Sequence, residues 1–257
     1  IVILPIFKND LTETESISLA QLRLFMHPKQ VCVIRPKNVK KNKYFKNEII
    51  FENKNFTSRN SYSKLLLSSK FYERFSDYDY MLIYQLDCLI FSNDLKKWTD
   101  LNYDYIGAPW FKSSTEPKKG LSHVGNGGLS LRKISTFIKV LNSTHIPNYQ
   151  YVFSNQIPDV EWFNLKKKYR IIKECRYGVN WYSKNYTLNE DLFWSNRAKL
   201  FYPSFNIACN DIGLKFSFEK HPRLAYKING EELPFGVHGW EKWDKGFWSN
   251  YLTNYES

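Results

Sequence analysis

The side chains best suited to chemistry in this 257-residue sequence are three acids and one histidine: Asp87, Glu190, Asp191 and His238. Carboxylates and imidazoles act as general bases, and together they are compatible ligands for Mn²⁺ and related divalent ions. These residues are far apart in the chain, so only the fold can bring them into one site. The segments around each residue therefore decide what it can do.

Asp87 follows the apolar run Met81–Tyr84, which is preceded by the polar residues Ser76–Asp79. A short continuous apolar run is typical of a strand buried on both faces, although a buried helix has the same pattern. Ligands bind beyond the carboxyl ends of strands in open α/β sheets, so Asp87 is predicted to lie at such a crevice. A carboxylate there needs a partner such as a metal ion, whereas capping of the following turn is the alternative role.

Glu190 and Asp191 directly precede the apolar run Leu192–Trp194. If Asn189 is the N-cap of a helix, both acids lie in its first turn, where the helix dipole favours their ionised form. One of them is then a candidate general base, and capping without catalysis is the alternative.

His238 lies in the glycine-flanked apolar segment Pro234–Trp240. A lone histidine in such a setting is more often structural than a ligand. If the fold brings it close to Asp87, it becomes the natural second ligand of a divalent cation.

Glycines occur in two further segments of interest. Gly125–Gly128 imposes a turn before Leu129–Arg132, which alternates as a strand or begins a helix. Its exposed backbone amides are expected to bind hydroxyl groups of a ligand, and a plain hairpin is the alternative. In Asp104–Trp110, a short strand runs into Gly107, where the absence of a side chain permits close approach, and Pro109 is expected to stop strand pairing.

The amino-terminal part predicts a βαβ unit. The apolar run Ile1–Ile6 is followed by helical spacing over Glu15–Phe25 and by a second apolar run, Val31–Ile34. This order predicts a parallel sheet. Another helix is expected from Ser61, with Ser61 or Ser63 as its N-cap.

Composition, net charge and missing motifs limit the classes to which this protein can belong. No apolar stretch reaches the roughly 18 residues of a membrane span, and no GxGxxG or GxxxxGK phosphate loop is present. The net charge of +12 implies attraction to nucleic acid, acidic lipid or phosphorylated substrates, although the basic clusters Lys37–Lys46 and Lys166–Lys173 can also be solvated faces. Four scattered cysteines without a CxxC pair favour a reducing compartment. The chain opens on Ile1 instead of Met, which is compatible with a leader or preceding domain outside this sequence.

Five sequence motifs, taken in chain order, resemble those of the glycosyltransferase family known as a domain of unknown function, DUF5672. They are FYERFSDYDYMLIYQLDCLIF, YDYIGAPW, VGNGGLSLR, NEDLFW and PFGVHGW. The resemblance covers about residues 1–240. It implies one GT-A-like, Rossmann-type α/β domain over residues 1–257, with a mostly parallel central sheet flanked by helices. Residues 1–110 would bind the nucleotide sugar and residues 111–257 the acceptor.

The resemblance also implies an activity, the transfer of a hexose from a nucleoside diphosphate sugar to a hydroxyl of a surface glycan or glycolipid, with a UDP-sugar as the expected donor. Gln85-Leu86-Asp87 stands where such enzymes carry a metal-binding DxD, so its first acid is replaced by Gln85. Asp87 and His238 would hold Mn²⁺ or Mg²⁺. Asp191 would be the base of an inverting reaction, with Glu190 as the second candidate. The expected substrate contacts are Pro5, Gln85, Asp87, Gly107, Trp110, Asn126, Gly127, Gly128 and His238.

The implied partners are a nucleotide-sugar donor and a glycan or glycolipid acceptor, for polysaccharide or lipopolysaccharide synthesis. The basic surplus suits peripheral contact of a cytoplasmic enzyme with the anionic inner face of the membrane, and no nucleic acid is expected. Two other functions are compatible with the residues alone. A nucleic-acid-binding protein would explain the charge and the 18% aromatic content, and a non-catalytic carbohydrate-binding module would need the aromatics without the acids.

Overall fold

The computed structural model describes residues 1–147, 152–153 and 164–252. Its strands are short, and several of them consist of continuously buried residues. In chain order they are β1 (Val2–Pro5), β2 (Val31–Pro36), β3 (Asn47–Phe51), β4 (Tyr80–Tyr84), β5 (Cys88–Ile90), β6 (Tyr105–Ile106), β7 (Pro109–Phe111), β8 (Leu121–Val124), β9 (Leu129–Lys133), β10 (Ser217–Phe218) and β11 (Gly236–His238).

A six-stranded sheet in the order β3-β2-β1-β4-β9-β6 forms the centre of the protein. β1 pairs in parallel with both β2 and β4, and β2 pairs in parallel with β3. β9 runs antiparallel to its neighbours β4 and β6. The predicted α/β class with a mostly parallel central sheet is therefore confirmed.

Helices surround the sheet. They are α1 (Glu13–Phe25), α2 (Arg59–Leu66), α3 (Ser69–Glu73), α4 (Leu95–Asp100), α5 (Ile134–Leu141), α6 (Leu165–Cys175), α7 (Gly178–Asn185), α8 (Glu190–Asn196), α9 (Ala198–Phe201), α10 (Asn210–Phe216), α11 (Pro222–Ile228) and α12 (Lys245–Ser249). None of the helices in the described part of the chain combines the length and apolarity needed to cross a lipid bilayer.

Alternating residues of the central strands supply two hydrophobic cores, one on each face of the sheet. Ile3 and Ile83 belong to one core, and Val2 and Leu82 belong to the other. Helices cover both faces, and this explains why β1 and β4 consist of continuous apolar runs instead of alternating ones.

Helix starts depend on caps that the apolar pattern did not reveal. α1 begins two residues before the predicted Glu15, because the Thr12 hydroxyl accepts from the Glu15 amide while the Glu15 carboxylate accepts from the Thr12 amide. The prediction of Ser61 or Ser63 as N-cap of α2 was wrong. Ser58 is the cap, and its hydroxyl accepts from the Ser61 amide at 3.1 Å.

Two smaller sheets complete the fold. β10, β11 and β5 form one of them, and β7 pairs with β8 in the other. Pro109 was expected to stop strand pairing, but it is the first residue of β7 and lies opposite Val124. In the antiparallel pairing of β11 with β5, His238 lies opposite Cys88, the residue after Asp87. This register carries the carboxyl-terminal histidine to the end of β4.

Candidate active site

A cavity of about 290 Å³ opens beyond the carboxyl end of β4. Its walls come from segments that are widely separated in the sequence, so the fold alone assembles it. The lining residues are Arg59, Tyr62, Ser63, Gln85, Asp87, Gly127, Gly128, Asn189, Glu190, Asp191, Glu219, His238, Gly239, Lys242 and Trp243. We refer to this cavity as the cleft.

Asp87 and His238 form an ion pair at the cleft. Asp87 lies in the turn between β4 and β5, and its backbone carbonyl accepts from the amides of Gly239 and Trp240 at 2.8 and 3.2 Å. These backbone bonds hold the segment of His238 against the turn. Asp87 Oδ2 lies 3.3 Å from His238 Nε2, with side chains that are 49% and 20% exposed, respectively. The pair is therefore open to a ligand in the cleft.

Each member of the pair shifts the pKa of the other. Burial by itself lowers the pKa of His238, but the hydrogen bond and charge of Asp87 outweigh burial and raise it above its usual value. Burial likewise raises the pKa of Asp87, and His238 reverses this and lowers it. On the other side of the imidazole, Glu219 Oε1 lies 3.8 Å from Nδ1, which is buried and has no hydrogen-bond partner among the described residues.

A second ion pair is sealed beneath the cleft. Arg132 Nη2 lies 2.9 Å from Glu190 Oε1, and the two side chains are 0% and 6% exposed, respectively. Arg132 also donates to the Ser130 hydroxyl and to the Tyr72 hydroxyl, each at 3.0 Å. Burial raises the pKa of Glu190, although Arg132 opposes this shift. With one oxygen committed to Arg132, Glu190 is fixed in place.

Asp191 has different surroundings, although it is the next residue along the chain. Both acids lie in the first turn of α8 after Asn189, as predicted, but the Asn189 side chain makes no capping bond. Asp191 Oδ1 accepts from the Leu192 amide at 2.8 Å, and Oδ2 accepts from the Gly127 amide at 3.3 Å. Burial nevertheless raises the pKa of Asp191. Asp191 is thus a fixed carboxylate whose affinity for a proton is increased.

Gly127 and Gly128 are needed because side chains from other elements touch their backbone. A methyl group at Gly128 would overlap the His238 ring, and one at Gly127 would overlap the Glu190 carboxylate. The Gly128 amide donates to the Asn126 side-chain oxygen at 2.9 Å, and the Gly127 amide donates to Asp191. The expectation that these amides are exposed for ligand hydroxyls was therefore wrong, because both serve internal contacts.

The remaining predicted contact residues divide into two groups. Gln85 lines the cleft, and Pro5 lines an adjoining cavity of about 270 Å³ that shares Asp87 with it. Gly107, Trp110 and Asn126 do not line the cleft. They belong to its support, because Gly107 packs on the Gly125 carbonyl, Trp110 lies across Gly125, and Asn126 binds Gly128.

Sequence reasoning missed several lining residues, and three of them carry charge: Arg59, Glu219 and Lys242. Lys242 follows His238 by four residues, so proximity to a candidate ligand was an available signal. Arg132 was also missed. The local pattern did not mark it, because Ser130 and Arg132 alternate with Leu129 and Leu131, and such alternation is typical of a strand with one polar face.

Comparison with protein-family profiles matches residues 46–238 to the family described as "Protein of unknown function (DUF5672)". The chain belongs to the DUF5672 family. This match confirms the resemblance that the five sequence motifs indicated. No curated protein sequence matches this DUF5672 chain.

Solved structures similar to this DUF5672 protein include mouse xyloside xylosyltransferase 1 in its apo form, at 10% identity and a TM-score of 0.47, covering 93% of this chain and 96% of that one. The galactosyltransferase LgtC, in complex with donor and acceptor sugar analogs, has 14% identity and a TM-score of 0.46, with coverage of 92% and 86%. A glycosyltransferase involved in glycosylation of the major capsid of PBCV-1 has 10% identity, a TM-score of 0.41 and coverage of 92% of both chains. At these values the similarities do not establish the activity of this DUF5672 protein.

Proposed function

We propose that this DUF5672 protein is a glycosyltransferase that moves a hexose from a nucleoside diphosphate sugar, in the first instance a UDP-sugar, to a hydroxyl of a glycan or glycolipid. The observation that carries the proposal is the convergence of Asp87, His238 and Asp191 on one cleft. Sugar transfer requires a site that offsets charge on a departing diphosphate and a base beside the acceptor hydroxyl. The cleft offers residues for both tasks.

The donor would lie across the two adjoining cavities. The smaller one has an apolar wall that includes Pro5, Phe7 and Leu11, which suits a nucleoside, and Asp87 lies at its junction with the cleft. In the cleft, Lys242 places a positive charge near Asp87, whose pKa it helps to lower. A diphosphate at this junction would therefore meet Lys242 and His238. The assignment of residues 1–110 to the donor and 111–257 to the acceptor stays a prediction.

A divalent cation fits the pair formed by Asp87 and His238 at the cleft. Carboxylate oxygen and imidazole nitrogen are acceptable donors for Mn²⁺, and the half-exposed Asp87 side chain can turn from His238 towards an ion. Among the described residues no three Asp, Glu, His or Cys side chains are grouped to hold a metal. Asp87 and His238 would thus be the protein's ligands, and the diphosphate and water would complete the shell. When bound, the ion acts as a Lewis acid that offsets charge on the leaving group.

Asp191 is the proposed base. The acceptor oxygen forms a bond to the anomeric carbon while the bond to the diphosphate oxygen breaks, and the hydroxyl proton passes to the Asp191 carboxylate. Attack from the face opposite the diphosphate inverts the anomeric configuration. A raised pKa makes Asp191 a better proton acceptor than an ordinary aspartate. Glu190, the second candidate, is a positioning residue because Arg132 holds its carboxylate.

The setting follows from the proposed chemistry. A glycolipid acceptor is presented at a membrane, so we place the enzyme in the cytoplasm with peripheral contact to the inner membrane face. There it would contribute to a cell-surface polysaccharide or lipopolysaccharide.

The experiment that tests the function measures release of nucleoside diphosphate from a panel of nucleotide sugars, with Mn²⁺, Mg²⁺ or EDTA. A matched set of thermal melts measures donor binding, because a ligand at 100 times its Kd stabilises the native state by about 2.7 kcal/mol. We expect one nucleotide sugar to raise the melting temperature and to be turned over. Lys242→Ala should weaken its binding, whereas Lys227→Ala, an exposed lysine on α11, should not. If no nucleotide sugar binds or reacts, the proposed function is wrong.

A further inference from the structure

Helices α6 and α7 present large apolar side chains to solvent. Leu165 and Tyr169 on α6 are 63% and 68% exposed, and they are four residues apart and therefore on one helix face. Tyr177 and Trp181, at the start of α7, are 60% and 39% exposed, with ring centroids 4.7 Å apart. Burying this much hydrophobic surface would be favourable, and the described part of the chain leaves it exposed.

The opposite faces of these helices already serve the core. α6 buries Ile171 and Cys175, and α7 buries Val179 and Tyr182. The two helices also pack on each other. The exposed side chains are therefore a second, outward face on helices that are fixed to the body of the protein.

This outward face is strongly basic. Between residues 165 and 184 the sequence has seven Lys or Arg and one acid, Glu174. The exposed members that lie among the apolar side chains include Lys166, Lys173 and Lys184. We call the exposed side chains of Leu165, Lys166, Tyr169, Lys173, Tyr177, Trp181 and Lys184 the α6–α7 surface.

We propose that the α6–α7 surface docks this protein on an anionic lipid membrane. Basic residues near a bilayer surface are attracted by acidic headgroups, and amphipathic aromatic rings settle at the headgroup level. Tyr169, Tyr177 and Trp181 are side chains of this type, and Leu165 adds an aliphatic group that can enter the acyl boundary.

Nucleic acid is the competing partner for a basic, aromatic surface. Bases stack on aromatic rings, but an exposed leucine gains nothing from a phosphate backbone, and the Tyr177 ring is already packed on Trp181. The mixture of leucine with aromatic and lysine side chains matches a lipid interface better.

The α6–α7 surface is physically connected to the cleft. The Lys64 ammonium on α2 donates to the backbone carbonyls of Ser183, Lys184 and Tyr186 at the end of α7. The neighbouring α2 residues Tyr62 and Ser63 line the cleft. Docking through α6 and α7 would therefore hold the cleft close to the membrane. This benefit, though not the docking itself, rests on the proposed glycolipid acceptor.

The test is co-sedimentation of the 257-residue chain with phosphatidylcholine vesicles that contain or lack the anionic lipid phosphatidylserine, and with a single-stranded oligonucleotide as a third arm. One variant carries Tyr169→Ser, Tyr177→Ser and Trp181→Ser. A second carries Lys166→Glu, Lys173→Glu and Lys184→Glu. A matched control carries Lys118→Glu, Lys215→Glu and Lys227→Glu, which change the net charge equally at exposed positions elsewhere.

We expect binding to the anionic vesicles alone. The second variant should bind them roughly a hundredfold more weakly, since each nearby basic residue contributes about a fivefold factor, and the aromatic variant should also lose binding. The control should lose much less. Absence of vesicle binding, equal losses in all three variants, or oligonucleotide binding that the same substitutions abolish would each overturn the proposal.

Donor melts on the same variants separate this inference from the proposed function. If a variant no longer binds vesicles but is still stabilised by the nucleotide sugar, its substitutions have removed membrane binding and left donor binding in the cleft intact. Vesicle binding by wild-type protein that binds no nucleotide sugar would support the membrane surface and contradict the transferase.

Discussion

Two ion pairs each contribute a carboxylate to the lining of the cleft, and the two pairs differ in their access to water. Arg132 and Glu190 are sealed, at 0% and 6% exposure, whereas Asp87 and His238 are open, at 49% and 20%. A sealed pair cannot separate without leaving an uncompensated buried charge, so it fixes the geometry around it. An open pair can exchange its internal contact for a ligand. The comparison teaches that charge alone does not mark a candidate binding group, and that solvent exposure separates the two pairs.

Removal of Arg132 should have the largest effect on stability. Arg132→Met leaves the Glu190 carboxylate buried without a partner, and we expect unfolding to become easier by about 3–5 kcal/mol. Urea denaturation measures this change. The matched control is Arg223→Met, which breaks the exposed pair with Asp244 and should change stability little. Equal losses in the two variants would show that the buried pair is not special.

Removal of the Asp191 carboxylate should lower kcat without removing donor binding. Asp191→Asn removes the proposed base but keeps the side-chain size, so kcat should fall by about 10² to 10⁴ while donor binding persists. Asp211→Asn changes an exposed first-turn acid of α10 and serves as the control. Unchanged transfer by Asp191→Asn would remove Asp191 from the mechanism.

A methyl group beneath the imidazole should disturb the open pair. Gly128→Ala places a carbon in the space of the His238 ring, which must then move relative to Asp87. We expect donor affinity measured with Mn²⁺ to fall by roughly tenfold, the loss of one good polar contact. Gly246→Ala is the control, because a methyl group there meets only an ordinary contact at 3.8 Å. Retained affinity in Gly128→Ala would mean that the pair does not hold the donor.

The smallest predicted effect is a pH dependence of the unfolding free energy that comes from the open pair, Asp87 and His238. Because the pKa of folded His238 is raised, the pair contributes stability below the unfolded histidine pKa of about 6.5 and loses it as the pH rises through the folded value. Burial opposes this shift, Asp87 makes the largest contribution that raises the pKa, and the charges of Glu219 and Asp191 add to it. The unfolding free energy of wild type relative to His238→Gln should therefore decline from pH 5.5 to 9.

The expected decline is about 1 kcal/mol or less, because Asp87 is half exposed and water screens the pair. Urea titrations of both proteins at several pH values measure it. A difference that grows with pH would contradict the raised pKa of His238.

Local pattern predicted the elements of the fold well. Continuous apolar runs gave β1, β2 and β4, and helical spacing gave α1, because burial on a sheet imposes those periods on any sequence. Helix starts were less predictable. The Ser58 cap of α2 is determined by which hydroxyl meets a free amide, and several nearby serines offered that group.

The residue types at the cleft were also visible, but their partners were not. Asp87 was expected at a strand end and Asp191 in a first helical turn, and both lie there. The pairing of Glu190 with Arg132, 58 residues away, depends on where the fold places α8 relative to β9, which no local pattern records. The glycines at 127 and 128 are required by the side chains of Glu190 and His238, and not by a ligand at their amides.

The amino-acid sequence by itself determined which segments become strands and helices and which acids and histidine stand at their ends, because hydrophobic period and turn chemistry act between near neighbours. The tertiary structure decided which of those polar groups meet and which of them water can reach. That decision is long-range, since the pairing of β11 with β5 brings His238 to Asp87 across 151 residues, and the fold brings Arg132 to Glu190 across 58 residues.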